Sequence, residues 1–251
     1  MLTHPTLQKL ADLRLTGMAA ALEEPLNTPA LQDLDFHERL GLLVDREATL
    51  RHNRRLQLRL KQAQFHQPAA WEDIDFKSAR GLDKTLMLQL AGGQWITQHL
   101  NCLITGPTGA GKSYLATALA HKACRDGHTA RYLRLPRLLQ NLQRAKGDGS
   151  YVKQLEQLAR FDVLILDDWG LAVLDETAQR DVLEILEDRF NRRSTIVTSQ
   201  LPVSHWHTYL GQATLADAIL DRLVHNAYKI ELKGESMRKM TGPLTHPPVQ
   251  E

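Results

Sequence analysis

Residues 106–113 read Gly-Pro-Thr-Gly-Ala-Gly-Lys-Ser, and this spacing of glycine, lysine and serine can bind phosphate. Residues 101–105 before it form a short apolar run with strand character, and residues 114–120 after it favour a helix. Glycines in such a turn let backbone N–H groups point at an anion, and the helix adds the positive end of its dipole. The pattern G-x-x-x-x-G-K-[ST] between a strand and a helix predicts a P-loop rather than a chance glycine-rich turn.

The polar side chains of a P-loop have defined tasks in phosphate chemistry. Lys112 is expected to reach the β- and γ-phosphates, and the Ser113 hydroxyl is expected to bind Mg²⁺. The predicted nucleotide-binding residues are Gly106, Pro107, Thr108, Gly109, Ala110, Gly111, Lys112, Ser113 and Tyr114. The sequence therefore predicts ATP and Mg²⁺ as ligands.

An acidic pair ends a second apolar run, Phe-Asp-Val-Leu-Ile-Leu-Asp-Asp at residues 161–168. Four continuous apolar residues are typical of a strand that is buried on both faces. We expect Asp167 to join the Mg²⁺ shell, and Asp168 to orient the attacking water and help to deprotonate it. Such a pair also occurs in solvated turns, but the P-loop favours a catalytic role. The pair predicts ATP hydrolysis rather than nucleotide storage.

Composition and length restrict the class of protein. The chain has 251 residues, 43% of them hydrophobic, which suffices for one large domain or one domain with a small appendage. No apolar run approaches the roughly 18 residues of a membrane span, and the start of the chain lacks a signal-peptide pattern, so we expect a cytoplasmic protein without a membrane partner. Cys102 and Cys124 are expected to be buried small hydrophobes, and His205-Trp206-His207 to be structural.

The chain divides by pattern into a helical start and an alternating remainder. Residues 1–66 carry no strand signal, whereas residues 67–240 alternate strands and helices, and residues 241–251 are predicted to be a flexible tail. The predicted strands are 101–105, 129–135, 162–167, 194–199 and 227–232, and the predicted helices between them are 112–125, 136–146, 151–160, 176–193 and 214–225. Alternation of this kind indicates a parallel sheet, in which the P-loop, the acidic pair and the end of the fourth strand meet at one edge.

A basic stretch lies in the second half of the helical start. Arg51, Arg55 and Arg59 repeat at i, i+4 and i+8 and so share one helix face, while Glu47 is the single acid among six basic residues. The face is either the solvated side of a helix bundle or a contact for phosphate backbone or an acidic partner.

Three further polar signals follow the acidic pair. The strand at residues 194–199 ends in polar side chains, so Ser199 or Gln200 is expected between the P-loop and Asp168, where a γ-phosphate sensor is needed. Arg222 follows on a helix, and Arg238 follows the last strand. Either arginine, taken alone, pairs as readily with a surface carboxylate.

With these motifs in place, the chain resembles AAA+ ATPases of the initiator and helicase-loader clade, and more closely the IstB family of insertion-sequence helper ATPases. The resemblance spans about residues 5–240 and rests on Leu-Arg-Leu-Thr-Gly-Met at 13–18, Glu-Arg-Leu-Gly-Leu-Leu-Val-Asp-Arg-Glu at 38–47, the P-loop, Asp-Asp-Trp-Gly at 167–170, residues 194–202 and Gly-Glu-Ser-Met-Arg at 234–238. The helical signature near the start is the specific part, because the ATPase motifs fit DnaC-like loaders equally well.

The resemblance implies an α/β fold, a P-loop AAA+ parallel-sheet sandwich of three layers, with a small N-terminal all-helical domain. It places Gln200 at the sensor 1 position, Arg222 at the arginine finger and Arg238 at sensor 2. Asp168 stands where many AAA+ proteins have Glu, and Gln200 where Asn is usual. A shorter carboxylate must sit closer to the water, so we expect slow basal hydrolysis.

The implied activity is ATP-dependent assembly of a homo-oligomer on double-stranded target DNA, which the oligomer deforms and presents to the cognate transposase. The predicted DNA contacts are Arg51, Arg55, Arg59, Arg134, Arg137, Arg144 and Lys146. We expect these contacts to read phosphates and shape, because no recognition-helix motif is visible. A DnaC-like replicative helicase loader is the nearest alternative. A P-loop nucleotide kinase is less favoured, because the acidic pair points to water as the nucleophile.

Overall fold

The computed structural model describes residues 5–23, 34–78, 80–234 and 237. The chain divides into two compact units, Met1–Leu58 and Arg59–Glu251. The division falls inside a long helix, and the domain boundaries expected from the sequence at residues 66 and 240 stay predictions. Arg238 and the predicted tail lie outside the described residues. Within the described part of the chain, no helix is both long and apolar enough to cross a lipid bilayer.

The first unit contains helix α1 (Pro5–Asp12), helix α2 (Thr16–Glu23) and most of helix α3 (Phe36–Ala63). The Glu47 carboxylate on α3 accepts hydrogen bonds from the backbone N–H groups of Gly17 at 2.6 Å and Met18 at 3.2 Å. Those N–H groups belong to the first turn of α2, where a helix has no internal acceptors. A Cβ on Gly17 would lie 2.8 Å from the Glu47 Cα, so this helix contact requires glycine.

Glu47 also pairs with Arg51, whose Nε lies 2.6 Å from Oε1. Partial desolvation acts to raise the pKa of Glu47, but hydrogen bonds from Arg51, Gly17 and Met18 outweigh it, and the pKa is lowered. The single acid of the basic stretch therefore caps α2 and compensates one arginine of the predicted basic face.

The second unit is a five-stranded parallel sheet with helices around it. The strands are β1 (Asn101–Thr105), β2 (Ala130–Arg134), β3 (Val163–Trp169), β4 (Ser194–Ser199) and β5 (Ala227–Glu231), in the spatial order β2-β3-β4-β1-β5. The helices are α4 (Lys84–Ala91), α5 (Gln94–Thr97), α6 (Lys112–Arg125), α7 (Leu135–Asp148), α8 (Tyr151–Arg160), α9 (Glu176–Arg189), α10 (Trp206–Leu210) and α11 (Ala213–Val224). Short 3₁₀ helices occupy Trp71–Asp73 and Val203–His205. The α/β fold with a parallel sheet is confirmed.

The central strands hold the core of this unit. Every residue of β1 and β4 is buried, and so is every residue of β3 except Asp168. Strands in the middle of a parallel sheet are covered on both faces, which is why their sequences read as continuous apolar runs rather than alternating ones. Cys102 and Cys124 are buried free thiols, as expected.

Helix α9 ends four residues before its predicted end at residue 193, because Phe190 leaves the helical region and Asn191 has a φ of 53°. Arg189, 1% exposed, stabilises this end. Its guanidinium donates to the carbonyl oxygens of Leu158 at 2.7 Å and Phe161 at 2.9 Å. It also donates to the carbonyl of Ser194 at 2.5 Å. The arginine satisfies carbonyls at the end of α8 and fixes the start of β4, a long-range role that helical periodicity does not reveal.

Candidate nucleotide-binding site

The phosphate-binding loop joins the end of β1 to the start of α6. Gly106, Gly109 and Gly111 all have positive φ, at 145°, 83° and 95°. A Cβ on Gly106 would lie 2.4 Å from the Leu232 carbonyl oxygen, so only glycine fits where the loop passes the segment after β5. The Gly106 N–H donates to the Ser199 carbonyl at 3.2 Å, which fixes the loop to the end of β4.

Lys112 is the first residue of α6 and its ammonium group turns back over the loop. Its Nζ donates to the carbonyl oxygens of Gly106 and Pro107, both at 2.8 Å. An ammonium group has three donor hydrogens and no acceptor, so these carbonyls hold the charge within the loop.

A β-bulge near the end of β3 contains the two acids, Asp167 and Asp168. Leu166 pairs with Val197 and Trp169 pairs with Ser199, so that Asp167 and Asp168 together lie opposite the single residue Thr198. Asp168 has a φ of 65°, a left-handed conformation that aspartate tolerates better than most residues. The bulge gives the neighbouring carboxylates different surroundings: Asp167 is 4% exposed, whereas the Asp168 side chain is 24% exposed.

Asp167 accepts hydrogen bonds from three hydroxyl groups. Ser113 Oγ lies 2.9 Å from Asp167 Oδ1, which joins the P-loop to the acidic strand. Thr198 donates to the same oxygen, and the Tyr132 hydroxyl donates to Oδ2. Sequence reasoning missed Thr198 and Tyr132, since β2 and β4 contain other polar residues and nothing in the pattern singles these two out.

Asp168 is in an ion pair with Arg134, at 2.5 Å between Nε and Oδ2. Arg134 ends β2, and β2 lies beside β3 in the sheet. The sequence predicted that Arg134 contacts DNA and that Asp168 orients the attacking water. In the structure these two residues form one ion pair. The hydrogen bond and charge of Asp168 raise the pKa of Arg134, which therefore stays a cation.

A cavity of about 550 Å³ opens beside the P-loop. Its lining residues are Gln67, Asp73, Asp75, Arg80, Gly109, Gly111, Lys112, Ser113, Tyr114 and Met237. Five of the nine predicted nucleotide-binding residues, all of them at or after Gly109, therefore face one space large enough for a ligand.

Arg80 forms part of the cavity wall and was missed from the sequence. The residue is 6% exposed, and its guanidinium donates to the carbonyls of Ala110 at 3.3 Å and Asp75 at 2.8 Å. A Cβ on Gly111 would lie 2.7 Å from Arg80 Nη1. Burial lowers the pKa of Arg80, although Asp75 and Tyr114 act in the other direction. Arg80 comes from the segment before β1, and no P-loop pattern covers that segment.

Two other sequence-predicted positions approach the same edge of the sheet. The Met237 N–H donates to the Gly109 carbonyl at 3.0 Å, which places this one residue at the P-loop, while Arg238 lies outside the described residues. Gln200 directly follows β4 and is exposed. The alternative sensor, Ser199, is buried, and its hydroxyl donates to the Trp169 carbonyl at 2.7 Å.

Residues 8–243 match the family model of the IstB-like ATP binding protein. The chain belongs to the IstB-like ATP-binding protein family. It is 54% identical to an insertion sequence ATP-binding protein of Sinorhizobium fredii, over 95% of this chain and 98% of the relative. It is also 55% identical to the ATP-binding protein of insertion sequence IS1162 of Pseudomonas fluorescens, over 81% of this chain and 89% of that relative.

Solved structures confirm the fold of this IstB-like chain. DnaI matches with a TM-score of 0.58 at 22% identity, over 67% of this chain and 95% of DnaI. The DnaC helicase loader matches with a TM-score of 0.55 at 19% identity, over 66% of this chain and 97% of the loader. These likenesses establish the P-loop AAA+ fold that the motifs predicted.

Arg222 of the IstB-like chain lies at the opposite end of the strands from the P-loop. Asn101, the first residue of β1, donates from Nδ2 to the Arg222 carbonyl at 2.9 Å, whereas the P-loop follows the last residue of β1. The Arg222 guanidinium pairs with the Glu187 carboxylate and lies over the Phe190 ring at 5.8 Å. The fold therefore separates Arg222 from the P-loop of its own chain.

The predicted DNA-binding residues fall into two groups. Arg55, Arg137 and Arg144 are exposed, and Arg137 and Arg144 lie seven residues apart on one face of α7. The others have contacts within the chain: Arg51 with Glu47, Arg59 with the Cys124 carbonyl, Arg134 with Asp168, and Lys146 with Asp181.

Proposed function

We propose that this IstB-like protein is a Mg²⁺-dependent ATPase that assembles as a homo-oligomer on double-stranded DNA, deforms it and recruits the transposase of its insertion sequence. The observation that carries the enzymatic part is the 2.9 Å contact between Ser113 on the P-loop and Asp167 on the neighbouring β-bulge. The insertion-sequence relatives support the transposition context. Since both ATP and target DNA are found in the cytoplasm, we place the protein there.

The oxygen atoms of Ser113 and Asp167 fit Mg²⁺. This ion prefers oxygen ligands and is usually held by one or two protein groups together with phosphate oxygens and water. When bound, Mg²⁺ would supply positive charge that offsets the negative charge of the phosphates. Ser113 lines the cavity, and its Oγ already lies 2.9 Å from Asp167 Oδ1, so each oxygen would need only a small change of partner to share a cation.

Lys112, Asp168 and Gln200 are proposed to act on the phosphates and the water. The Lys112 ammonium exchanges the carbonyls of the loop for phosphate oxygens, because an anionic acceptor makes the stronger hydrogen bond. Asp168 orients the water, and Gln200 contacts the γ-phosphate, with Arg238 proposed as sensor 2. The carboxylate of Asp168 is held by Arg134 and has to share or leave that contact, which supports slow basal hydrolysis.

The proposed DNA contacts begin with Arg137 and Arg144. Both lie on the exposed face of α7, and contacts of this kind neutralise phosphates without reading bases. Arg55 is proposed as a third exposed contact. Arg51, Arg59, Arg134 and Lys146 first have to exchange a contact within the chain, so we rank them below Arg55, Arg137 and Arg144.

The proposal is tested by phosphate release and DNA retention with Lys112→Ala. Loss of the main phosphate countercharge is expected to abolish both ATP hydrolysis and ATP-dependent retention of duplex DNA. Lys122→Ala is the matched control, because Lys122 lies on the same helix and pairs only at the surface, with Asp126. Transfer of phosphate to a nucleoside monophosphate without phosphate release would refute the ATPase and favour a kinase. The alternative function, as a replicative helicase loader, is supported only by similarity of fold.

A further inference from the structure

The carboxylate of Asp167 is buried and its two oxygens have different partners. Oδ1 accepts from Ser113 and Thr198, on the side of the P-loop. Oδ2 accepts from the Tyr132 hydroxyl, its one donor among the residues that the structure describes. Both oxygens lie off the Cβ–Cγ bond, so hydrogen bonds at both of them restrict rotation of the carboxylate more than hydrogen bonds at Oδ1 alone.

Tyr132 is held in place before any ligand binds. It lies on β2 opposite Ile165, so that Asp167, two residues further along β3, shares the same face of the sheet. The Tyr132 ring is buried at 7% exposure, and the His66 ring stacks on it at 6.2 Å between centroids. A tyrosine hydroxyl carries its proton at neutral pH, so the phenol is a hydrogen-bond donor.

We propose that Tyr132 is a positioning residue for Mg²⁺, which anchors Asp167 Oδ2 so that Oδ1 stays directed at Ser113. This inference rests on the proposed function of Ser113 and Asp167 as magnesium ligands. Groups that hydrogen-bond to metal ligands orient them, and loss of such a group lowers metal affinity by about 10- to 100-fold. The phenol does not touch the nucleotide in this scheme; it acts through Asp167.

Tyr151 provides a matched control. Its hydroxyl donates to the buried carboxylate of Asp181 at 2.8 Å, so Tyr151→Phe removes the same kind of hydrogen bond as Tyr132→Phe. Tyr151 begins α8 and Asp181 lies on α9, and the contacts described for this pair include Lys146 but neither the P-loop nor Asp167.

The test uses the full chain and an ATP analogue with a non-hydrolysable β,γ linkage. Binding is measured by isothermal titration calorimetry, first in EDTA and then over a series of Mg²⁺ concentrations. Tyr132→Phe is expected to bind the analogue in EDTA within about twofold of wild type and to need about tenfold more Mg²⁺ for half of the magnesium-dependent gain in affinity. Tyr151→Phe is expected to match wild type in both conditions.

Three results would overturn the inference. The first is an unchanged Mg²⁺ requirement in Tyr132→Phe. The second is an equal loss of analogue affinity with and without Mg²⁺, which would indicate general damage to the loop. The third is that Tyr132→Phe raises the Mg²⁺ requirement in an Asp167→Asn background by as much as it does in the wild-type background. A residue that acts only through the Asp167 carboxylate should have no further effect once that carboxylate is gone. A wild-type chain whose analogue affinity does not respond to Mg²⁺ would instead overturn the proposed function, and the inference with it.

A second measurement does not depend on folding of the phenylalanine variant. With 3-fluorotyrosine at position 132 and every other residue native, the ¹⁹F resonance is expected to move when Mg²⁺ and the analogue bind together, and to move less with the analogue in EDTA. Equal shifts in the two conditions would mean that Tyr132 senses the nucleotide but not the cation, and would refute the positioning role.

Discussion

Mixing two inactive variants tests whether Arg222 completes the ATP site of a neighbouring subunit. Arg222 lies beside the first residue of β1, and the P-loop begins after the last. The four residue steps of β1 from Asn101 to Thr105 span about 13 Å at about 3.3 Å each, and the nucleotide lies beyond them. Arg222 is therefore too far along the sheet to reach the P-loop of its own chain, and a direct contact with the transferred phosphate would have to come from the Arg222 of a neighbouring subunit.

The expected magnitudes follow from this geometry. Loss of an arginine finger lowers the rate by about 10³-fold or more, so Arg222→Ala alone is expected to be almost inactive, as is Lys112→Ala. In a random equal mixture, an interface is competent only when an Arg222→Ala subunit supplies the P-loop and a Lys112→Ala subunit supplies the finger. That combination occurs at about one quarter of head-to-tail interfaces, so about a quarter of wild-type activity should return.

The assay is phosphate release by the mixture in the presence of duplex DNA, with co-assembly checked by size-exclusion chromatography. Arg180→Ala is the matched control, because Arg180 is an exposed arginine that pairs with Glu176 on its own helix, and its loss should leave the rate unchanged. A mixture that co-assembles yet stays as inactive as its components would refute the trans role of Arg222. The oligomeric mechanism would then lose its main support.

Three further predictions concern the water, the DNA and the first unit. Asp168→Asn should keep ATP affinity and lower hydrolysis by about 100-fold or more, and undiminished phosphate release would mean that another residue positions the water. Replacing Arg137 and Arg144 together by Gln should reduce the log–log salt slope of DNA binding by about two units without changing ATP affinity, whereas an unchanged slope would remove α7 from the interface. The pKa of Glu47 is lowered in the folded state, so its stabilising effect is present above the pKa of the unfolded chain and is lost as pH falls through the folded pKa. When helix content is measured by circular dichroism as the pH is lowered, Glu47→Gln should therefore depend less on pH than wild type. Identical curves for the two proteins would contradict this assignment.

The parts of the site that consecutive residues form could be predicted from the sequence. Eight residues specify the P-loop, and a single apolar run followed by two acids specifies the end of β3. The central strands β1, β3 and β4 contain buried apolar runs, and all five strands were found close to their observed bounds. Local pattern was sufficient wherever the strand, the turn and the reactive side chains are adjacent in the chain.

Residues that join the site from other elements escaped prediction. Tyr132, Thr198 and Arg80 reach the P-loop or Asp167 only because of the strand order β2-β3-β4-β1-β5 and the path of the segment before β1. Each is a single polar residue with no motif around it. Alternation of strands and helices predicts a parallel sheet, but it does not state which strands are neighbours, and these contacts depend on that order.

The bulge at the end of β3 explains how two adjacent acids can serve one reaction. In a regular strand, Asp167 and Asp168 would point to opposite faces of the sheet, and only one of them could face the P-loop edge. The bulge and the left-handed backbone of Asp168 change this, because Asp167 stays in the sheet against Ser113 while Asp168 turns out to Arg134 at the edge. A buried carboxylate with three hydroxyl donors suits a fixed metal ligand, and a partly exposed one with a single charged partner suits a group that has to meet water. The proposed division of roles between the acids therefore follows from the backbone, and removal of one residue from the bulge would disturb both proposed roles at once, even with both carboxylates retained.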